Sequence, residues 1–210
     1  MSRKIAFTSL GCDKNRVDSE VMLGILQKNG YTAVADEAEA DIIVVNTCCF
    51  IKDALEESIE TILEMAQYKN PDVGNCKGLI VAGCLGQRYE KEFFDELPEV
   101  DAIIGTTAYE SIAEVADEIL GGKEQVKQLE SIDLAMPDKL RVLSTAPYFA
   151  YLKISEGCDN RCTYCVIPQM RGRHRSRELE SLVEEATLLA QQGVKELVIV
   201  AQDTSIYGRD

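Results

Sequence analysis

The sequence predicts an α/β fold built on a parallel sheet with helices on its faces. Short, continuous apolar runs recur along the chain, as expected for strands that are buried on both faces. Segments with helical periodicity lie between these runs. This β-α-β-α alternation is typical of parallel sheets, because parallel strands need a crossover connection that is usually a helix.

The first unit covers residues 1–122. Residues 4–10 are predicted to form a strand, and residues 17–28 a helix with Asn15 as N-cap and Gly30 as its stop. Further strands are predicted at 42–45, 79–82 and 102–104. Further helices are predicted at 53–68, 87–96 and 109–120. The helix at 53–68 places five apolar residues on one face, namely Leu55, Ile59, Ile62, Leu63 and Ala66.

A polar segment of mixed charge, residues 123–147, is interpreted as a linker that could contain a hairpin. A second unit, 148–210, contains a predicted strand at 148–155, a helix at 177–192 and a strand at 196–201. One βαβ unit cannot cover its own sheet faces. Either it joins the first unit or the chain is a fragment, and we expect a fragment.

Composition and charge narrow the function. The chain has 210 residues and a net charge of −14. This charge argues against a protein that binds nucleic acid mainly through an overall positive charge. No signal-peptide pattern or membrane-length apolar run is present, so we expect a cytoplasmic chain without a membrane partner. Eight cysteines are many for such a chain, and cysteine clusters in the cytosol are more often metal-binding or catalytic than structural.

The densest cysteine cluster is C-x3-C-x2-C, formed by Cys158, Cys162 and Cys165 just after a predicted strand. Three thiolates can hold three irons of a 4Fe-4S cluster and leave the fourth iron open to a small molecule. A structural zinc site would need four closed ligands. His174 lies nine residues beyond the last cysteine, past the usual ligand spacing.

A second set is dispersed. Its members are Cys12, Cys48 and Cys84. Successive members are 36 residues apart, and each follows a predicted parallel strand. Ligand sites in open α/β sheets lie beyond the carboxyl ends of the strands, so these thiols are expected to converge there. They could hold a second cluster with one open iron, or they could be buried apolar cysteines at strand ends, and the residues alone favour neither.

The motifs around these cysteines resemble those of the radical S-adenosylmethionine (SAM) methylthiotransferases. The matching stretches are C-x3-C-x2-C, SLGCDKNRVDSE from Ser9, NTC ending at Cys48, and GCLGQRY from Gly83. The resemblance implies two 4Fe-4S clusters, one on Cys12, Cys48 and Cys84 and one on Cys158, Cys162 and Cys165. It also implies SAM on the second cluster with Tyr164 near the adenine, and a radical SAM (β/α) barrel that begins in 148–210 and is incomplete.

Within that family, the residues are most similar to the type that modifies a ribosomal protein. The first motif and the QDTS stretch from Gln202 carry this similarity. It implies methylthiolation of an aspartate β-carbon in a small-subunit ribosomal protein or ribosome, with a low-potential electron donor and a sulfur donor. The alternatives are a tRNA adenosine methylthiotransferase, a non-catalytic iron–sulfur fragment and a zinc module. Without most of the barrel and the TRAM domain of relatives, this chain is expected to be inactive alone.

Three features stay outside these motifs. Cys49 is interpreted as a small residue tolerated beside Cys48, and Cys76 as a free thiol in a polar loop. The basic run 171–177 is either an anion or substrate contact or the solvated start of a helix.

Overall fold

The computed structural model describes residues 3–133 and 141–210. Its first unit is a sheet of six parallel strands: β1 (Arg3–Ser9), β2 (Tyr31–Ala33), β3 (Ile42–Thr47), β4 (Gly78–Gly83), β5 (Ala102–Ile104) and β6 (Val126–Gln128). The strand order is β2-β1-β3-β4-β5-β6. The predicted α/β fold with a parallel sheet is therefore confirmed.

Helices cover both faces of this sheet. They are α1 (Asp13–Lys28), α2 (Lys52–Ala66), α3 (Cys84–Arg88), α4 (Phe93–Glu96) and α5 (Ile112–Leu120). Met22 of α1 and Ile112 of α5 pack on one face, and Ile62 of α2 and Phe93 of α4 belong to the core on the other. Every residue of β3 and β4 is buried, as expected for central strands covered on both sides.

Several local predictions in this unit are wrong. Asn15 lies inside α1 rather than at its N-cap, because the helix begins at Asp13, directly after Cys12. The predicted helix 87–96 is two short helices, and the turn between them lets the consecutive Phe93 and Phe94 both enter the core. Leu63 faces solvent with 44% exposure, because it lies off the stripe formed by the other apolar residues of α2.

The first part of the segment 123–147 belongs to the six-stranded sheet of the first unit. It contains β6, which extends the sheet past Gly122 and runs parallel to β5 instead of forming a hairpin. β6 carries alternate partly buried residues and no apolar run, which is why the sequence pattern missed it. Residues 134–140 of the expected linker lie outside the described residues, and the division into domains stays a prediction.

The second unit pairs β7 (Phe149–Lys153) with β10 (Glu196–Val200) in parallel. A short antiparallel pair, β8 (Ser155–Glu156) with β9 (Arg175–Ser176), follows β7, so the predicted strand 148–155 is interrupted at Ile154. Two helices complete the unit, α6 (Ile167–Arg171) and α7 (Leu179–Gln191). Across the described ranges, no helix is long and apolar enough to cross a membrane.

Helix α6 joins the two units. Met170 is 1% exposed and belongs to the core of the first unit. Its carbonyl oxygen accepts a hydrogen bond of 2.7 Å from the Thr106 hydroxyl, just after β5. The loop that carries one cysteine set is thereby packed against the sheet that carries the other.

Candidate functional site

The dispersed cysteines meet at one edge of the first sheet. Cys12, Cys48 and Cys84 follow β1, β3 and β4 directly or after a short loop, and these three strands are adjacent. Neighbouring strands lie about 4.8 Å apart, so the three carboxyl ends fall within about 10 Å of one another. The three strand ends therefore lie together at this edge, and the role of the three thiols as ligands of one cluster stays a prediction.

Gly11 permits the close approach of two of these loops. Its φ is +83°, and a Cβ at this position would lie 2.5 Å from the Cβ of Cys48 and 3.1 Å from its Sγ. A side chain here would strain the backbone and collide with Cys48. The glycine before Cys12 thus lets the first cysteine loop lie against the second.

Polar motif residues hold the strand ends in place. The Asn15 side chain donates to the Thr47 carbonyl at 2.9 Å, and the Asn46 side chain donates to the Asn15 carbonyl at 2.9 Å. The buried Ser58 hydroxyl donates to the Cys48 carbonyl at 2.8 Å and accepts from the Cys48 amide at 3.1 Å. These bonds satisfy buried backbone groups around the thiols and keep the loops rigid.

The site is rich in sulfur and partly enclosed. Cys48 and Cys84 are buried, whereas Cys12 is exposed. Burial raises the pKa of the Cys84 thiol, and the positive charge of Arg171, whose Nη2 lies 3.5 Å from Sγ, opposes that rise. A donor set of three thiols without a carboxylate suits an iron–sulfur cluster.

A single metal ion is a poorer fit to the described residues. No three of their His, Cys, Asp and Glu side chains are grouped so that they could hold one metal ion. In a 4Fe-4S cluster each thiolate binds a different iron, so the thiols need not converge on one point.

The second cysteine set lies in the loop between β8 and α6. Cys158 is buried, Cys165 is half-buried and Cys162 is exposed. Gly157 has φ +78°, and a Cβ there would lie 1.9 Å from the Arg173 carbonyl oxygen, so the loop closes tightly against the chain that returns from α6. Tyr164 is 85% exposed, and its contact with SAM stays a prediction.

The other two cysteines are packed in the core. Cys49 is 1% exposed with its Sγ 3.3 Å from Met170 Sδ, and burial raises the pKa of its thiol to about 12. Cys76 follows a polar loop but is itself buried, with its Sγ 3.2 Å from the Gly78 carbonyl oxygen. None of the eight cysteines, all of which lie in the described ranges, forms a disulfide.

Sequence reasoning missed a buried network of charges between the two cysteine sets. Lys153 of β7 pairs with Asp18 of α1 and, at 3.0 Å, with Glu156. Arg171 reaches the same two carboxylates at 2.8 and 3.1 Å. Burial works to raise the pKa of Glu156, but the two cations outweigh it and hold that pKa well below its usual range.

The sequence contained a weak signal for this network. Lys153 interrupts an apolar strand, and Asp18 lies on the inward side of α1. Arg171 and Arg177 of the basic run are buried in ion pairs, so for these two residues a solvated helix start is wrong.

Comparison with known proteins agrees with this arrangement. Residues 4–105 match the family described as "Uncharacterized protein family UPF0004", and residues 152–210 match the radical SAM superfamily. A curated protein of Lachnoclostridium phytofermentans, "Ribosomal protein uS12 methylthiotransferase RimO", is 57% identical over 208 residues. Nearly the whole of this chain is therefore similar to part of a RimO protein.

Other RimO proteins match at similar levels. Those of Acetivibrio thermocellus and Clostridioides difficile are each 52% identical over 100% and 99% of this chain. The chain spans about half the length of the curated relatives it matches, namely 46–47% in these three proteins.

Solved structures support the fold. The radical S-adenosylmethionine methyltransferase TsrM from Kitasatospora setae superposes with a TM-score of 0.63 over 98% of this chain and 49% of its own. A second TsrM structure, with cobalamin and a [4Fe-4S] cluster bound, has a TM-score of 0.61 over 97% of this chain and 48% of its own. At 15% and 13% sequence identity, these likenesses concern the fold alone.

Proposed function

We propose that this chain is part of a RimO-type radical SAM methylthiotransferase that holds two 4Fe-4S clusters. One cluster is assigned to Cys12, Cys48 and Cys84, and is called the auxiliary cluster below. The other is assigned to Cys158, Cys162 and Cys165 and takes SAM at its open iron, with Tyr164 beside the adenine. The observation that carries the proposal is that one cysteine triplet follows three adjacent strands of the first sheet, while the other precedes α6, the helix that packs on the first unit.

The domain limits belong to the same proposal. Residues 1–122 form the methylthiotransferase domain, 123–147 the connection and 148–210 the start of the radical SAM domain. Strand β6 lies in the connection but completes the first sheet. We place the protein in the cytoplasm, where ribosomal proteins are made.

The substrate class follows from the relatives' printed names. They act on ribosomal protein uS12, and we assign an aspartate β-carbon of the uS12 protein of the same cell as the target. Such a C–H bond is unactivated, so acid–base residues alone cannot open it at a useful rate and a cofactor must supply the difficult step. Cys158, Cys162 and Cys165 would hold the cluster that, with SAM bound, would supply the radical chemistry needed at this C–H bond.

The chain's own residues have supporting roles in this chemistry. The glycine–cysteine turns place the thiols, Asn15 and Ser58 fix the loops, and α6 keeps the two triplets in one body. The reaction also draws on a low-potential electron donor and a sulfur donor. The tRNA-modifying alternative is tested directly by offering tRNA and uS12 to the protein.

Iron and sulfide analysis after anaerobic reconstitution tests the two-cluster assignment. We expect about eight irons per chain, and about four after Cys12→Ala or Cys158→Ala, because each cluster contains four. Cys76→Ala is the matched control and is expected to keep both clusters, as is Cys49→Ala. SAM binding, measured by calorimetry, should be lost in Cys158→Ala and retained in Cys12→Ala. Iron loss in Cys49→Ala but not in Cys12→Ala would overturn the assignment.

A further inference from the structure

Arg171, the last residue of α6, lies where the two units meet, and its guanidinium contacts residues of both units. Nη1 donates to Asp18 Oδ2 at 2.8 Å and to Glu156 Oε2 at 3.1 Å. Nη2 donates to the Asn15 side chain and lies 3.5 Å from the Sγ of Cys84. Arg171 is 4% exposed, so water screens these contacts only weakly.

The charges of Arg171 and its charged neighbours are balanced. Two cations, Arg171 and Lys153, face two carboxylates, Asp18 and Glu156. Lys153 contacts the same two carboxylates as Arg171. A Cys84 thiolate adds one negative charge on the Nη2 side, which Arg171 is placed to counter.

We infer that Arg171 is a positioning residue of the auxiliary cluster: it orients the Cys84 thiolate and supplies a fixed positive charge beside it. This inference rests on the proposed function, since it needs a cluster on Cys12, Cys48 and Cys84. It assigns the first arginine of the basic run to the inside of the protein rather than to a substrate contact.

The geometry of arginine suits this task. In the planar guanidinium, Nη1 donates to both carboxylates, while Nη2 faces the Asn15 side chain and the Cys84 sulfur. A lysine would offer only a single point charge. Groups that orient metal ligands typically change metal affinity by about 10–100-fold when they are removed. Hydrogen bonds to sulfur and net local charge also set cluster potentials. Two measurable properties of the auxiliary cluster therefore depend on Arg171.

The experiment isolates the auxiliary cluster in this chain by replacing Cys158, Cys162 and Cys165 with alanine. On that background we compare Arg171→Gln, Arg171→Lys and, as matched control, Arg173→Gln, which changes an exposed arginine two residues away. The midpoint potential is followed by EPR-monitored redox titration, and iron retention by competition with a chelator.

Arg171→Gln should shift the potential to more negative values, because the reduced cluster loses a nearby positive charge. It should also lower iron affinity by roughly 10-fold or more. Arg171→Lys should stay close to the parent potential because it keeps the charge, and Arg173→Gln should match the parent in both measurements.

A folding defect is separated from this effect by a double variant. Arg171→Gln with Glu156→Gln removes one cation and one anion, and leaves Asp18 paired with Lys153. Its potential should also move to more negative values, but by less than in Arg171→Gln, because Arg171 contacts the Cys84 sulfur and Glu156 lies behind it. An unchanged potential in this folded double variant would refute the inference while the cluster assignment stands. If Cys84→Ala keeps full iron on this background, the cluster assignment itself fails and the inference falls with it.

Discussion

Lys153→Met tests whether the buried charge network stabilises the junction of the two units. Lys153 is 3% exposed and neutralises two carboxylates, Asp18 and Glu156, that also share Nη1 of Arg171. Without the lysine, one cation faces two buried carboxylates. Removing one partner of a buried ion pair typically costs about 3–5 kcal/mol, because the remaining charge is left uncompensated.

Urea denaturation followed by far-UV circular dichroism measures this loss. With a denaturant dependence of about 2 kcal/mol per molar urea, the midpoint should fall by about 2 M. The matched control is Lys77→Met, which removes a cation 2.7 Å from Asp41 but with a side chain that is 64% exposed. Exposed pairs contribute at most about 1 kcal/mol, so the control midpoint should fall by less than about 0.5 M.

A second variant separates charge from packing. Lys153→Met with Glu156→Gln restores one cation to one anion, and should recover at least half of the lost stability. If Lys153→Met and Lys77→Met lower the midpoint equally, the network contributes no more than a surface pair. If the double variant is less stable than the single one, uncompensated charge is not the cause of the loss.

The remaining predictions concern the cysteine loops and acid stability. Gly11→Ala should cost about 1–2 kcal/mol from left-handed strain and more from the 2.5 Å approach to the Cys48 Cβ. Gly30→Ala, at φ +85° with open space around it, should cost the strain alone, so equal urea midpoints for the two variants would contradict the packing argument. Ser58→Ala should cost about 1–3 kcal/mol in the same assay, because it leaves buried polar groups of Cys48 without partners, and a loss within error would dismiss this role. Although burial opposes it, two cations depress the pKa of Glu156, so the unfolded state takes up its proton first and stability should fall as pH drops below about 4.5. Urea midpoints measured against pH should show a shallower decline in Glu156→Gln, and identical slopes would exclude this group as the source.

Much of the first sheet was predictable because its strands are continuous apolar runs. The strand at 102–104 has the predicted limits, and the others differ by a few residues at their ends. Strands β2 and β6 were missed because each has three residues and no apolar pattern, so only pairing with a longer strand defines them. Their existence depends on tertiary contacts that local sequence does not encode.

The thiols were predictable from their motifs, but the network beside them was not. Arg171 resembles an ordinary surface cation in the sequence, since its burial depends on contacts with distant residues such as Asp18 of α1. Asn15 shows the same limitation. Its type and position favour a helix cap, yet its side chain serves the Thr47 carbonyl, 32 residues away.

The position of the short strand β2 decides whether the first three cysteines can meet. The chain runs from β1 through α1 to β2 before it reaches β3, so β2 could have separated β1 from β3. It pairs instead on the outer side of β1, through Arg3–Ile5 alone, and leaves the other side of β1 to β3. Had β2 been inserted between them, the strand ends before Cys12 and Cys48 would lie about 10 Å apart instead of about 5 Å. The equal spacing of the cysteines in sequence therefore produces a common site only because this three-residue strand occupies the edge.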